Sequence, residues 1–233
     1  MKILILGHKG MLGNCVHRYL SQYYTTVVTD FKFPNDDFKE FVKNHNGIIV
    51  NCIGAIPQKT NEFSVNVDLP IFLSTVNSKI IHPGTDCEGD GTPYGTSKKQ
   101  AADYLLSIPD SNTKILKSSI IGKELSTANG LLEWFLNSDD TVNGYTNARW
   151  NGITTLEWAK YCRDLISNWD SYKYNTILCS GCISKYELLL LAKKVFNKKI
   201  RITPVDKGEN KCLGGIYTKQ IYQQLKELKK FYE

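Results

Sequence analysis

The chain has 233 residues, of which 42 % are hydrophobic, and its 29 basic and 23 acidic residues give a net charge of +6. This length buries one substantial core and is short for two ordinary domains. The apolar runs are far shorter than a membrane span, and no basic motif interleaved with aromatic residues indicates nucleic-acid binding. We therefore expect neither a membrane nor a nucleic-acid partner, and we interpret the positive charge as solvated helix surface or as a field that attracts a di-anionic nucleotide.

Strand-like and helical patterns alternate along the chain. Apolar runs predict strands at residues 2–7, 25–30, 47–54, 78–85, 114–121, 175–180 and 199–205. Amphipathic stretches predict helices at residues 11–22, 36–44, 61–76, 94–107, 130–137, 155–168, 184–196 and 218–231. This alternation predicts an α/β protein with a Rossmann-type doubly wound parallel sheet.

Seven cysteines are scattered through apolar segments. Their odd number and their placement are typical of reduced, buried thiols rather than of a disulfide framework, which predicts a reducing, cytoplasmic compartment. Cys179 and Cys182 form a C-x-x-C pair without a second cysteine pair or a histidine cluster. We interpret them as incidental thiols and expect no metal site.

The turn after the first strand is rich in glycine. It reads Gly7-His8-Lys9-Gly10-Met11-Leu12-Gly13 and leads directly into a helix. The first glycine permits a tight turn, the second lets backbone approach a pyrophosphate, and the third lets the helix pack on the strand. Residues 1–122 are therefore predicted to form an NAD(P)-binding core. Residues 123–233 are predicted to form a small substrate lobe, interleaved with the remaining core elements of a single compact domain.

The residues around this turn leave the choice of dinucleotide open. Asp30 ends the second predicted strand, where a carboxylate holds the ribose hydroxyls, and this favours NADH. His8, Lys9 and Lys32 are placed to pair with a 2′-phosphate, and this favours NADPH. At the end of the third strand and in the next helix, further residues are expected to line the cofactor: Asn51, Cys52, Ile53, Gly54 and Asn66.

A Tyr-x-x-x-Lys pair, Tyr94 and Lys98, opens the fourth predicted helix, where one turn places both side chains on one face. Thr85 ends the preceding strand, so its hydroxyl and the Tyr94 phenol are expected at the same edge of the sheet. Hydride addition to a ketone leaves an alkoxide that a nearby phenol must protonate, and the positive charge of Lys98 would lower the pKa of that phenol. Tyr222 and Lys226 have the same spacing, which we attribute to chance.

Several segments resemble successive motifs of one family: 50–52, 65–70, 84–86, 94–98 and 117–122. In this order they are similar to the extended short-chain dehydrogenase/reductases, and among these to dTDP-4-dehydrorhamnose reductases and related nucleotide-sugar reductases. The resemblance implies reduction at C4 of a nucleotide-linked 4-keto-6-deoxyhexose by NADPH or NADH. It also implies that Thr85 orients the carbonyl, that Tyr94 is the acid and that Lys98 contacts the nicotinamide ribose. A homodimer through the helices at Asn61 and Tyr94 is the family expectation.

The resemblance further suggests a sugar-nucleotide site in the lobe. Candidate residues for hydrogen bonds and for stacking on a base or sugar are Asp86, Trp134, Asn147, Trp150 and Asn151, with packing of the lobe as an equal alternative for the two tryptophans.

The pattern departs from the family at the interval from Thr85 to Tyr94, where relatives commonly carry a substrate-covering loop. The short interval implies either a more open site or a Tyr94 out of register with Thr85. Lys117 stands where relatives often have Arg, and Ile120 or Ile121 replaces an aromatic residue, which allows an N-acetylated or UDP-linked sugar. The rival hypothesis is a non-catalytic dinucleotide-binding regulatory subunit, because a regulatory subunit of methionine adenosyltransferase has a similar fold.

Overall fold

The structure is a computed structural model that describes residues 1–233. Its strands are β1 (Lys2–Leu6), β2 (Thr25–Val28), β3 (Ile48–Asn51), β4 (Lys79–Gly84), β5 (Thr113–Lys117), β6 (Ile120–Ile121), β7 (Thr141–Tyr145), β8 (Arg149–Trp150), β9 (Ile153–Thr154), β10 (Asn175–Cys179), β11 (Ile183–Ser184), β12 (Arg201–Val205) and β13 (Ile216–Tyr217). Its α-helices are α1 (Met11–Leu20), α2 (Asp36–Lys43), α3 (Val65–Ser74), α4 (Pro93–Ser107), α5 (Leu131–Asn137), α6 (Thr155–Ser167), α7 (Lys185–Phe196) and α8 (Ile221–Tyr232).

Seven strands form one parallel sheet in the order β13-β10-β5-β4-β3-β1-β2. The chain leaves β1 toward β2 and then crosses to β3 on the opposite side of β1, so the winding reverses between β1 and β3. Ligands of doubly wound sheets bind outside the carboxyl ends of the strands at this reversal. The predicted fold class is confirmed.

Alternate residues of β1 build two separate cores. Ile3 and Ile5 pack with residues of α1 and α6 on one face, whereas Leu4 and Leu6 pack with residues of α2 and α3 on the other. This follows from the period of two in a strand, which points successive side chains to opposite faces. A strand buried on both faces must be apolar throughout, and the run after Lys2 meets this requirement.

A third core lies in the second half of the chain. Residues of α5, α7 and α8 pack with β7, β8 and β12, and β7 pairs in parallel with β12. Residues 143–155 contain the end of β7 together with β8 and β9. The chain after residue 122 also returns to the central sheet through β10 and β13, so lobe and sheet elements interleave.

One predicted strand is divided in two. The run 114–121 forms β5 in the central sheet and β6 beside β9, with Ser118 and Ser119 between them. The predicted third and last helices begin later than expected, at Val65 and Ile221. No helix of the structure combines the length and the apolar character that crossing a bilayer requires.

The prediction that all cysteines are reduced thiols is wrong, because Cys182 and Cys212 form a disulfide with their Cα atoms 6.0 Å apart. The pairing arises around β8, where Arg149 pairs with Ser184 on one side and bridges to Asn210 on the other. Ser184 follows Cys182 by two residues, and Asn210 precedes Cys212 by two. The two pairings therefore bring the cysteines together, although 30 residues separate them in the sequence. The cysteines therefore no longer support the prediction of a reducing compartment.

Candidate functional site

One large cleft lies at the carboxyl ends of β1, β3 and β4. Its volume is about 870 Å³, and its lining combines the sheet edge with residues of the lobe. Six basic and three acidic side chains line it, the basic ones being Lys59, Lys98, Arg149, Lys185, Lys207 and Lys211. An excess of positive charge in a cleft raises the local concentration of anionic ligands.

The glycine-rich turn enters the cleft with its middle residues. Gly7 has φ +76°, and a Cβ on Gly13 would lie 2.1 Å from the Gly7 carbonyl oxygen, so these two glycines are required by the turn and by helix packing. Gly10 is different, because a Cβ there would meet only the Gly7 oxygen at 3.4 Å. Gly10, Met11 and Leu12 line the cleft.

Gly10 is also the N-cap of α1 and offers no side-chain cap to it. The first N–H groups of a helix have no intrahelical acceptor and carry the positive end of the helix dipole. The cleft therefore contains backbone donors of the kind that bind phosphate oxygens.

The other predicted cofactor residues fall into three groups. Cys52, Ile53, Gly54 and Asn66 line the cleft with the glycine turn, whereas Asn51 is fully buried behind it. Asn66 also ties α3 to neighbouring segments, through hydrogen bonds of 2.8 and 3.0 Å with the Ala55 backbone. His8, Lys9 and Asp30 form the third group and lie outside the cleft lining.

Asp30 lies between His8 and Lys9 beside the glycine turn. Lys9 Nζ lies 2.6 Å from Asp30 Oδ1, and His8 Nε2 lies 3.8 Å from the same oxygen. The hydrogen bond from Lys9 holds the pKa of Asp30 below its usual range. Asp30, which favours NADH, is thus paired with Lys9, which favours NADPH.

Thr85 and Tyr94 both line the cleft. Burial raises the pKa of Tyr94 to about 12, and the nearby Thr85 hydroxyl opposes this rise. The Thr85 hydroxyl itself donates to Asp86 Oδ1 at 3.2 Å. The short interval between the two residues therefore leaves both of them in the lining of the cleft. Part of the reason is a capping box, in which Thr85 caps the short turn Asp86–Gly89 and the Glu88 carboxylate accepts from the Thr85 N–H at 3.0 Å.

Lys98 is buried in the wall of the cleft and is held by backbone and by a buried histidine. Its Nζ donates to the Pro83 carbonyl oxygen at 2.9 Å and lies 3.4 Å from His82 Nε2. Burial lowers the pKa of Lys98 to about 8. The pKa of Tyr94 is raised rather than lowered because burial dominates it, and a lowering by the charge of Lys98 stays a prediction.

His82 is a site residue that the sequence analysis did not select. Burial and the charge of Lys98 hold its pKa well below the ordinary value, so the imidazole is neutral. Asn51 Nδ2 lies 3.2 Å from His82 Nδ1. Asn51 and His82 thus form a buried support for Lys98, and the only signal in the sequence was a polar residue in the middle of an apolar strand.

The predicted substrate residues are divided by the structure. Asp86 and Trp150 line the cleft, and the Trp150 indole donates to Ser119 Oγ at 2.8 Å. Trp134, Asn147 and Asn151 do not line it. Trp134 and Asn147 are exposed elsewhere, and Asn151 bonds the Leu213 backbone at 2.7 and 2.9 Å.

The lobe side of the cleft is instead lined by residues that sequence motifs did not indicate. Tyr145, Arg149 and Lys185 come from β7, β8 and α7. A segment at residues 206–213, here called the strap, adds Lys207, Glu209 and neighbouring residues. These side chains meet only because distant segments pair around β8, so no local pattern identifies them. No group of three or more His, Cys, Asp or Glu side chains is arranged to hold a metal ion.

No protein-family model matches the chain, and no curated protein matches it in sequence. Solved structures share its fold. The chain superposes on a dTDP-4-dehydrorhamnose reductase from Clostridium acetobutylicum with a TM-score of 0.80, at 16 % identity over 100 % of this chain and 99 % of that one. A dTDP-4-dehydrorhamnose reductase from Bacillus anthracis, in complex with NADP, gives 0.82 at 15 % identity over 97 % and 98 %.

A dTDP-glucose 4,6-dehydratase from Bacillus anthracis, in complex with NAD, gives a TM-score of 0.77 at 13 % identity over 100 % of this chain and 96 % of that one. At these identities the likeness establishes the fold alone, which is the one that the sequence resemblance implied.

Proposed function

We propose that this chain uses NADPH or NADH to reduce the 4-keto group of a nucleotide-linked 4-keto-6-deoxyhexose. The nucleotide is UDP or dTDP, and the sugar includes the 2-acetamido form. The observation that carries the proposal is that Thr85, Tyr94 and Lys98 line one cleft together with the glycine turn and a basic rim. The structures that share the fold add support, since two are named as dTDP-4-dehydrorhamnose reductases.

The residues at the sheet edge fit a dinucleotide. The open space at Gly10 and the unpaired N–H groups of the first turn of α1 suit a pyrophosphate. Ile53 and Tyr94 line the same cleft farther along the sheet edge, where the nicotinamide would lie. When bound, the reduced nicotinamide supplies the hydride that the C4 carbonyl carbon accepts.

Tyr94 supplies the proton. With a pKa raised to about 12, its phenol stays protonated throughout the neutral range and can donate to the oxygen that becomes an alkoxide. The Thr85 hydroxyl, which donates to Asp86 Oδ1 at 3.2 Å, would turn to donate a second hydrogen bond to the same carbonyl oxygen and orient it. The backbone of both residues is held before substrate arrives, by α4 at Tyr94 and by the capping box at Thr85.

Lys98 would stabilise the phenolate that remains after proton transfer. Its ammonium is positioned by the Pro83 carbonyl, and the neutral His82 beside it adds no competing charge. Because the pKa of Lys98 is about 8, the side chain is largely charged at neutral pH. A buried charge acts more strongly on its neighbours than one in water.

The lobe would bind the nucleotide sugar. Arg149, Lys185 and Lys207 line the cleft opposite the sheet edge and suit the two phosphates. Asp86, beside Thr85, is placed to accept hydrogen bonds from sugar hydroxyls. The dimer through α3 and α4 stays a prediction.

The test is a panel of enzymatically generated UDP- and dTDP-4-keto-6-deoxyhexoses, including 2-acetamido sugars, offered to the purified protein with NADH or NADPH. Loss of absorbance of the reduced nicotinamide is the expected result, and the preferred pair would identify cofactor and sugar together. Dinucleotide binding by calorimetry without turnover of any sugar would contradict the reductase and favour the regulatory subunit. In that case a search for a protein partner would follow.

A further inference from the structure

The strap, residues 206–213, crosses the lobe side of the cleft with little apolar anchorage. Residues 206–210 are exposed, and the strap contains no helix and none of the strands β1 to β13. Its backbone is held by β8, since the Arg149 N–H donates to the Glu209 carbonyl and the Lys211 N–H donates to the Arg149 carbonyl, both at 3.0 Å. A few polar links, rather than a core, therefore determine its position.

The strap also reaches the sheet side of the cleft. Lys211 Nζ donates to Asp90 Oδ2 at 2.8 Å, and Asp90 lies in the short interval between Thr85 and Tyr94. Burial opposes ionisation of Asp90, but hydrogen bonds from Lys211 and Thr92 lower its pKa to about 2, so the pair is intact at neutral pH. The strap thus closes over the interval that is short in this chain.

A disulfide holds the end of the strap. Cys212 belongs to the strap, and Cys182 directly precedes β11, which pairs with the other side of β8. The cross-link joins positions separated by 30 residues, and such a link removes open conformations that the segment would otherwise sample. Asn151 adds a clamp on the neighbouring Leu213 backbone.

We propose that the strap is the cover of the substrate half of the cleft and that the Cys182–Cys212 disulfide keeps it closed. In the closed position Lys207 and Glu209 contact the nucleotide sugar, because both line the cleft. The strap takes the place of a covering loop between Thr85 and Tyr94. The identity of the ligand rests on the proposed function, whereas the anchoring of the strap does not.

Hydrogen exchange tests the anchoring. The intact protein is compared before and after treatment with a phosphine. The phosphine transfers two electrons to the disulfide, and one water molecule supplies two protons to the thiols and its oxygen to the phosphine oxide. The double variant Cys182→Ser/Cys212→Ser is the second arm, and Cys179→Ser, which leaves the disulfide intact, is the matched control. Strap amides should exchange roughly tenfold faster when the disulfide is absent, with β1 amides unchanged. Equal exchange rates of the strap amides with and without the disulfide would show that the disulfide does not anchor the strap.

Calorimetric titration with dTDP-glucose and UDP-glucose tests the cover. Loss of the disulfide should weaken binding of the accepted nucleotide sugar roughly tenfold and leave NADPH binding unchanged, because the glycine turn lies on the other side of the cleft. Asp90→Asn, which removes the other anchor, should act in the same direction. Faster hydrogen exchange of the strap with unchanged affinity for the nucleotide sugar would show that the strap does not cover the substrate half of the cleft. Failure of the oxidised protein to bind either nucleotide sugar would overturn the cover and contradict the proposed function, while the exchange result would still decide the anchoring.

Discussion

The two sides of the cleft are built in different ways. On the sheet side, the glycine turn follows β1, Ile53 follows β3 and Thr85 follows β4, while Tyr94 and Lys98 come from the next helix, α4. On the lobe side, the lining comes from β7, β8, α7 and the strap, which are separated by tens of residues and are joined by pairing around Arg149. The sheet side is thus local in sequence, and the lobe side is assembled by the fold.

This difference separates the chemistry from the recognition. The sheet side holds the groups that would bind the dinucleotide and transfer the proton, on backbone that buried strands make rigid. The lobe side holds cations and a strap that polar links and one disulfide keep in place. Substitutions on the two sides should therefore change different quantities, turnover and dinucleotide affinity on the first and sugar-nucleotide affinity on the second.

Tyr94→Phe should have the largest effect. Removal of the phenol hydroxyl removes the proton donor, so kcat should fall by roughly 10²- to 10⁴-fold, while the dinucleotide dissociation constant changes little. Steady-state kinetics and calorimetry measure the two quantities. Tyr222→Phe is the matched control, because Tyr222 has a lysine at the same spacing on α8, with Lys226 Nζ 5.7 Å from its ring centre. Unchanged turnover of Tyr94→Phe would exclude Tyr94 as the acid.

Gly10→Val should act on the dinucleotide instead. Gly10 has φ −81° and ψ 168°, which suit any residue, and a Cβ would meet only the Gly7 oxygen at 3.4 Å. The variant should therefore fold, while its side chain fills the space beside the α1 N-terminus and weakens dinucleotide binding roughly a hundredfold, equivalent to about 2.7 kcal/mol.

Gly181→Val is the control for this substitution, because a Cβ at Gly181 meets nothing within 4 Å and Gly181 does not line the cleft. Thermal unfolding of both variants separates loss of binding from loss of fold. Tight dinucleotide binding by a folded Gly10→Val protein would refute the placement of the pyrophosphate.

The same division explains how far the sequence could predict the molecule. The period of two in β1 and the glycines that follow it are local signals, and both the sheet and the turn were predicted from them. The disulfide, the strap and Arg149 at the cleft depend on the pairings around β8 and on the parallel pair of β7 with β12, whose strands lie about 60 residues apart. His82 was missed for another reason, since a buried polar residue is not recognised from sequence until its partner is known.

Asp30→Ala should have the smallest effect, on the choice between NADH and NADPH. The Asp30 side chain is 72 % exposed, and its Oδ1 atom forms an ion pair with Lys9 Nζ at 2.6 Å. Its removal deletes an anion that would repel a 2′-phosphate and frees the Lys9 ammonium to pair with one. We expect the ratio of the NADPH to the NADH dissociation constant to fall roughly fivefold at low ionic strength, and the change to shrink as salt is added.

Asp36→Ala is the matched control for the Asp30 variant, because it removes another exposed carboxylate, which pairs with Lys39 at 3.9 Å and lies outside the cleft lining. Equal ratios in wild type and Asp30→Ala would show that the cluster at His8, Lys9 and Asp30 does not face the adenosine ribose. A salt-independent change would instead indicate that Asp30 acts by hydrogen bonding to the ribose hydroxyls rather than by its charge. The two outcomes separate a carboxylate that binds the ribose from one that only holds Lys9 away from a phosphate.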